Sequence, residues 1–373
     1  MPPAVRNGEA TARSSALVRT EVAEVALAYQ FGISYDTYNL VADRRLRFRS
    51  HQSGLIKFTD FLRAIGAELL ERPGLPRIAW GSQAAERPVW TINPAEGSSM
   101  TYQTIEVRNA TPSIGAEIFG ADLSKPLGNQ QFQEVHDALM DRLVIFFRDQ
   151  NLSPERHKEF GRRFGKLHVH PAALTELPDH PEIFVIKADE KSKRIAGEEW
   201  HSDVSCDAEP PMGSILYLTT VPPDGGGDTM FANMYLAYES LSEPIKRMLD
   251  GMTAIHDGEH VYRGRYDVDD AGKTYPRSEH PVVRTHPVTK KKCLFVNRVF
   301  TTRIVGLKRN ESTAILEMLY RHIETPEFCV RFRWQPKSIA FWDNRCAQHH
   351  ALWDYYPNKR YGHRVTVSGD KPY

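Results

Sequence analysis

Past residue 200 the chain breaks into short β-prone runs, "SILYLTTV", "PVVRTHPV", "KKCLFVNRVF", "FCVRFRWQ", "SIAFWD" and "HRVTVSG", each cut off by a Pro or Gly turn. Only two helical stretches, about 234–250 and 310–323, interrupt them. A parallel sheet needs a crossover, usually a helix, between successive strands, and here most strands have none. The spacing therefore predicts a mainly β fold with flanking helices, a sandwich or jelly roll, in place of an alternating α/β sheet. The longest apolar runs, "LVIFF" at 143–147 and "SILYL" at 214–218, are strand-sized. They fall far short of the roughly 20 residues that span a bilayer.

The same patterning extends upstream to about residue 100. "TYQTIEVRNA" alternates as a strand, "GNQQFQEVHDALMDR" carries apolar residues at helical spacing, and "LVIFFRDQ" reads as a buried strand. In "SPERHKEFGRRFG" the leading Ser153 can cap a short helix. Residues 1–99 differ in character: of their 12 basic residues only Lys57 is a lysine, whereas 15 of the 36 in residues 100–373 are. The loose stretch "ERPGLPRIAWGSQAAERPVWTINPAEGSS" closes that part. We expect a boundary near Met100, with residues 1–99 either an appended extension or an over-extended reading frame, and residues 100–373 forming one domain.

The 48 basic and 47 acidic residues balance, and no Lys/Arg stripe interleaved with aromatics forms a nucleic-acid groove. The expected partner is a small molecule, with neither nucleic acid nor membrane involved. Cys206, Cys293, Cys329 and Cys346 have no C-x-x-C spacing and read as free thiols in a reducing cytoplasm. The N-terminus lacks the compact apolar segment of a secretory signal.

Within "GEEWHSDVSCDAEPP", His201 and Asp203 stand two apart where the chain looks extended, so both side chains point to one face with Ser202 turned outward. Three His-x-Glu pairs, His157/Glu159, His180/Glu182 and His322/Glu324, imitate the pattern. The first and last lie in helical stretches and read as surface residues. His349 or His350 in "FWDNRCAQHHALWDYYPNKRYGHRVTVSG" offers a third ligand. Two imidazoles and a carboxylate on one side of an ion leave three positions open, the arrangement that suits Fe(II) in oxygenases. Spacing alone leaves this reading beside a plainer one, in which His201 is a polar loop residue and His349 a half-buried one. Arg360 and Arg364, four apart at the edge of an apolar strand, either grip a ligand carboxylate or pair with acidic residues of the fold.

Taken together, "IGAEIFGADLSKPL", "FGKLHVHP", "WHSDVS", "GGDTMF", "HPVVRTHPVT", "LFVNRVFTTRIV", "FRWQPKSIAFWDNRCAQHHA" and "HRVTVSGDKP" resemble the taurine dioxygenase and 2,4-dichlorophenoxyacetate dioxygenase family. The resemblance runs from about residue 103 to the C-terminus. It implies a double-stranded β-helix, Fe(II) as metal, 2-oxoglutarate as co-substrate, and O₂. It also implies His201, Asp203 and His349 as iron ligands, with His350 only a neighbour. By the same resemblance Arg360 and Thr229 hold the far carboxylate of 2-oxoglutarate, and Arg364 lies near its other end and the substrate anion. Trp342 and Phe300 match aromatic pocket positions, and His170 matches the histidine that contacts a sulfonate. Ala173 and Gly197 depart from the family's taurine-using enzymes, which carry Tyr and Asn there. Tyr262 and Tyr266 fall where substrate-facing residues occur, and either line a wider pocket or serve as packing residues of a Gly-rich loop. The expected substrate is a small anionic taurine-like organosulfonate, with an alkyl sulfate or aryloxyalkanoate as same-family alternatives and a non-catalytic metal-binding jelly-roll protein as the different-class one. Further copies of the chain, as a dimer or tetramer, are expected partners.

Overall fold

The computed structural model describes residues 101–170, 177–195, 197–264 and 272–373. The extension and the boundary expected near Met100 lie outside them. Strands β1 (Glu106–Asn109) and β2 (Ala116–Phe119) form a hairpin, followed by helix α1 (Asn129–Arg142) and strand β3 (Val144–Phe147). Next come α2 (Pro154–Arg162), β4 (Leu167–His168), β5 (Ile183–Ala188), β6 (Gly213–Thr220) and β7 (Thr229–Asn233). Helices α3 (Met234–Glu239) and α4 (Glu243–Leu249) lead into β8 (Thr253–Asp257), α5 (Glu259–Tyr262), β9 (Arg277–Pro281), β10 (Val283–Thr285), β11 (Lys292–Leu294) and β12 (Thr301–Ile304). The chain ends with α6 (Arg309–Ile323), β13 (Cys329–Phe332), β14 (Ser338–Asp343), β15 (Ala347–Ala351) and β16 (Arg360–Val367).

A large sheet runs β1-β2-β3-β14-β6-β16-β4, with β5 added on β16, and a second sheet runs β13-β7-β15. The apolar runs of the sequence have a simple cause here. Along β3, Val144 and Phe146 face one core while Ile145 and Phe147 face another. β6 and β14 divide in the same way, Leu216, Leu218, Ala340 and Trp342 to one side and Ile215, Tyr217, Ile339 and Phe341 to the other. A strand covered on both faces has no solvent side and loses the apolar/polar alternation.

Helices α1 and α2 cover the outer face through Val135, Ala138, Leu139 and Phe160. The Ser153 side chain caps α2, accepting from the Arg156 amide at 3.3 Å. The inner face packs on the second sheet: Phe146 stacks 3.9 Å from Phe332, and Phe231 lies 5.5 Å from Trp342. Loss of one such buried ring costs about 3–5 kcal/mol.

Two expectations change. The stretch 234–250 is two helices, not one, because the backbone is extended at Ser242 and a new helix starts there with a proline in its first turn. His157 is not a surface residue, and His322 is only half-exposed. His157 is fully buried with Nε2 3.0 Å from the Ile215 carbonyl, and His322 Nε2 lies 2.8 Å from the Ala237 carbonyl. Their polar tips bond backbone across the fold, which helical periodicity does not reveal. All four cysteines are free, and among the described residues no helix is long and apolar enough to cross a membrane.

Candidate functional site

His201 and His349 form an isolated antiparallel bridge, each amide bonding the other's carbonyl at 3.0 and 2.8 Å. Their rings lie 4.1 Å apart. Asp203 Oδ1 lies 3.7 Å from His201 Nε2 and 4.0 Å from His349 Nε2, just before the chain turns at Val204, where φ is 47°. All three ligand atoms lie within 4.8 Å of one another and are buried. Ser202, expected to point outward, is buried and donates to the Asn344 carbonyl at 2.6 Å. His350 points away from the site and packs on Trp200, 5.6 Å between ring centres.

The surroundings prepare these groups as ligands. His201 Nδ1–H donates to the Glu199 carbonyl at 2.8 Å, which leaves the Nε2 lone pair for an ion. Burial, then the neighbouring His201, holds the His349 pKa well below its ordinary value, so its imidazole is neutral. For Asp203 burial opposes the charge, but Arg364, His349 and His201 outweigh it and hold the carboxyl well below its usual range. Arg364 Nη1 donates to Asp203 Oδ1 at 2.7 Å and Ser214 to Oδ2 at 2.7 Å, while the Asn344 side chain receives the Asp203 amide at 3.3 Å. Two imidazoles with Nε2 turned to one point and an ionised carboxylate fit Fe(II) with open positions beside them.

A second buried group, His286, Asp343 and Cys346, does not fit a metal. His286 Nδ1 accepts from the Val288 and Thr289 amides at 3.2 and 3.1 Å, and Nε2 lies 3.1 Å from Asp343. Both ring nitrogens are used, and Arg345 already neutralises Asp343 through two bonds of 2.9 and 2.6 Å.

β16 lies within the large sheet beside β6, with Arg364 paired to Leu216 and Gly362 to Leu218. Residues four apart on a strand share a face, so Arg360 and Arg364 enter the same pocket. Their surroundings differ. Arg364 is neutralised by Asp203, whereas Arg360, 4 % exposed, has no carboxylate within ion-pair distance among the described residues. Its Nε and Nη2 atoms are buried without a partner. Burial lowers its pKa, and Tyr355 and Asp228 only partly offset this. A buried, unpaired guanidinium costs several kcal/mol unless an anion meets it.

The pocket holds about 330 Å³ and brings together His170, His201, Asp203, Thr229, Tyr262, Phe300, Trp342, His349, Arg360 and Arg364, all singled out in the sequence. Trp342 lies 4.6 Å from the His349 ring and donates to Asn344 at 2.9 Å. Burial and then Arg364 push the His170 pKa down to about 3, so this histidine is neutral. It packs 4.8 Å from Phe184, and Tyr262 lies 6.0 Å from Phe300. Val204, Val261 and Val299 extend this apolar wall. Ala173 and Tyr266 lie outside the described residues. Sequence reasoning missed Ser214, Asn344, Phe184 and Trp334. Asn344 and Trp334 stand inside the quoted block that holds Trp342 and His349, whereas nothing local marks Ser214 or Phe184.

Residues 106–366 match the family described as "Taurine catabolism dioxygenase TauD, TfdA family". An alpha-ketoglutarate-dependent sulfonate dioxygenase of Saccharomyces cerevisiae is 35 % identical over 72 % of this chain and 68 % of its own length. An alpha-ketoglutarate-dependent sulfate ester dioxygenase of Pseudomonas putida is 34 % identical, covering 72 % of this chain and 91 % of its own length. The crystal structure of a taurine dioxygenase from Burkholderia xenovorans superimposes with a TM-score of 0.63 at 36 % identity, over 72 % of this chain and 93 % of that one. With the family match spanning the two sheets and the whole pocket they enclose, the chain belongs to the taurine catabolism dioxygenase TauD, TfdA family.

Proposed function

We propose that this enzyme is an Fe(II)- and 2-oxoglutarate-dependent dioxygenase that hydroxylates the carbon next to the sulfur group of a taurine-like organosulfonate. The hydroxylated product collapses to an aldehyde and sulfite, while 2-oxoglutarate and O₂ give succinate and CO₂. The observation that carries the reading is Arg360, a buried guanidinium without a carboxylate partner, in one pocket with the His201, Asp203 and His349 cluster. A dicarboxylic acid that reaches from the metal centre to Arg360 supplies the missing charge.

His201, Asp203 and His349 would hold the iron, which would let O₂, the oxidant, draw two electrons from 2-oxoglutarate and two from the substrate. Arg360 and the Thr229 hydroxyl bind the far carboxylate and set the angle at which the keto acid enters the site. Arg364 and His170 hold the anionic head of the substrate. Val204, Val261, Tyr262 and Phe300 keep water from the reacting carbon. The two sheets enclosing the pocket support a double-stranded β-helix, and the free thiols support a cytoplasmic enzyme.

A second reading, an alkyl sulfate as substrate, is favoured by the same apolar wall and by Gly197, which offers no side chain to a polar tail. A panel of taurine, longer alkanesulfonates, alkyl sulfates and aryloxyacetates, scored by succinate formation, tests both. We expect succinate coupled to sulfite from a sulfonate, and no turnover in Asp203→Ala. Release of sulfate from an alkyl sulfate alone would select the second reading. Succinate formation unchanged by Asp203→Ala would defeat the ligand assignment.

A further inference from the structure

Thr229 begins β7 and lines the pocket with Arg360. Behind it stands Trp334, two residues past the end of β13, whose Phe332 pairs with Thr229 in the ladder. Trp334 is buried, its Nε1–H donates to Thr229 Oγ1 at 3.0 Å, and the Arg360 guanidinium lies 5.6 Å above its ring. Phe332 packs edge-on against the indole at 4.9 Å and holds it there.

The direction of that hydrogen bond matters. A threonine hydroxyl has one proton to donate and two lone pairs to accept with, so by itself it meets donors and acceptors equally well. An indole N–H only donates. Once it occupies a lone pair of Oγ1, the hydroxyl proton turns elsewhere, and no acceptor takes it among the described residues. A carboxylate only accepts. The indole thus leaves Thr229 with a donor for an anion in the pocket, beside the two unpartnered nitrogens of Arg360.

We infer that Trp334 is a positioning residue for the co-substrate, holding the Thr229 hydroxyl as a donor and bracing Arg360, so that the two form a clamp for the far carboxylate of a 2-oxo dicarboxylic acid. The inference rests on the proposed use of 2-oxoglutarate and extends it to a residue that does not touch the ligand. Trp334 then acts on dicarboxylic keto acids and not on keto acids that end in a methyl group.

The test is calorimetric binding of 2-oxoglutarate and of 2-oxobutyrate, which lacks the far carboxylate, to the full chain loaded with Mn(II). Wild type is compared with Trp334→Phe, with Trp334 replaced by benzothienylalanine, which keeps the bicyclic shape without the N–H, and with Thr229→Val in each background. We expect loss of the N–H to raise the Kd for 2-oxoglutarate about five- to tenfold, the effect of one hydrogen bond. Kd values for 2-oxobutyrate and Mn(II) should stay unchanged, and the effect should vanish in the Thr229→Val background. Equal weakening of both keto acids, or an unchanged Kd for 2-oxoglutarate in a wild type that prefers it, overturns the role of Trp334 alone. A wild type that binds 2-oxoglutarate no better than 2-oxobutyrate overturns both this inference and the proposed function.

Discussion

Gly197 has φ +85°, and a Cβ placed there would come within 2.9 Å of His201 Cε1. The strain of that backbone for an L side chain is about 1–2 kcal/mol, and the collision falls on the ring of a proposed metal ligand. Gly197→Ala should therefore weaken metal binding at least about tenfold by displacing His201, with a stability loss of about 1–2 kcal/mol from the backbone strain. Co(II) titration followed by absorbance checks it, and unaltered Co(II) affinity would show that the ring has room to move. The same scale shows why some site residues were readable and others not. His201, Asp203 and His349 carry chemistry that few positions can hold, so their types drew attention. Ser214 contributes a single hydroxyl bond to Asp203, and serine is common enough that nothing local distinguishes it. Trp334 looks like core packing, and only its 3.0 Å bond to Thr229 shows another role.

Strand β16 makes one site from two cations because it is continuous from Arg360 to Val367, pairing β5 on one edge and β6 on the other. The β-prone run "HRVTVSG" marked its second half. Its first half, polar and aromatic, becomes strand only by pairing with those neighbours. At Gly362, where the register shifts, a Cβ would collide with the Tyr217 carbonyl oxygen. Gly362→Ala should push β16 away from β6 between the two arginines, with a stability loss of about 2–3 kcal/mol. Urea unfolding measures that loss, and 2-oxoglutarate binding should fall with it. A variant of wild-type stability would mean that the bulge absorbs a methyl group.

His157 ties α2 to β6 as a neutral ring, its pKa pushed down to about 3 by burial, from an ordinary 6.5. In the unfolded chain it takes up a proton near 6.5 that the fold refuses until about 3. Stability is thus complete above about pH 6.5 and falls through that window as pH drops, by up to about 1.4 kcal/mol per unit. His157→Gln, whose amide can still reach the Ile215 carbonyl, should shrink the loss between about pH 7 and pH 5 by about 2 kcal/mol. Urea midpoints at the two pH values decide it, and an unchanged difference would place the sensitivity elsewhere. A chain starting at Met100 should keep full activity, since the family match begins at residue 106, and succinate formation by the shortened chain tests this. The sequence by itself determined the class of fold, because strand-length apolar runs between Pro and Gly turns have few ways to bury themselves. It also determined which residue types were present for chemistry at the metal. Only the tertiary structure decided that Arg364 neutralises Asp203 while Arg360 stays unpaired, because charge compensation depends on which strands are neighbours. That pairing is made between residues 161 apart in the chain, a distance no local pattern spans.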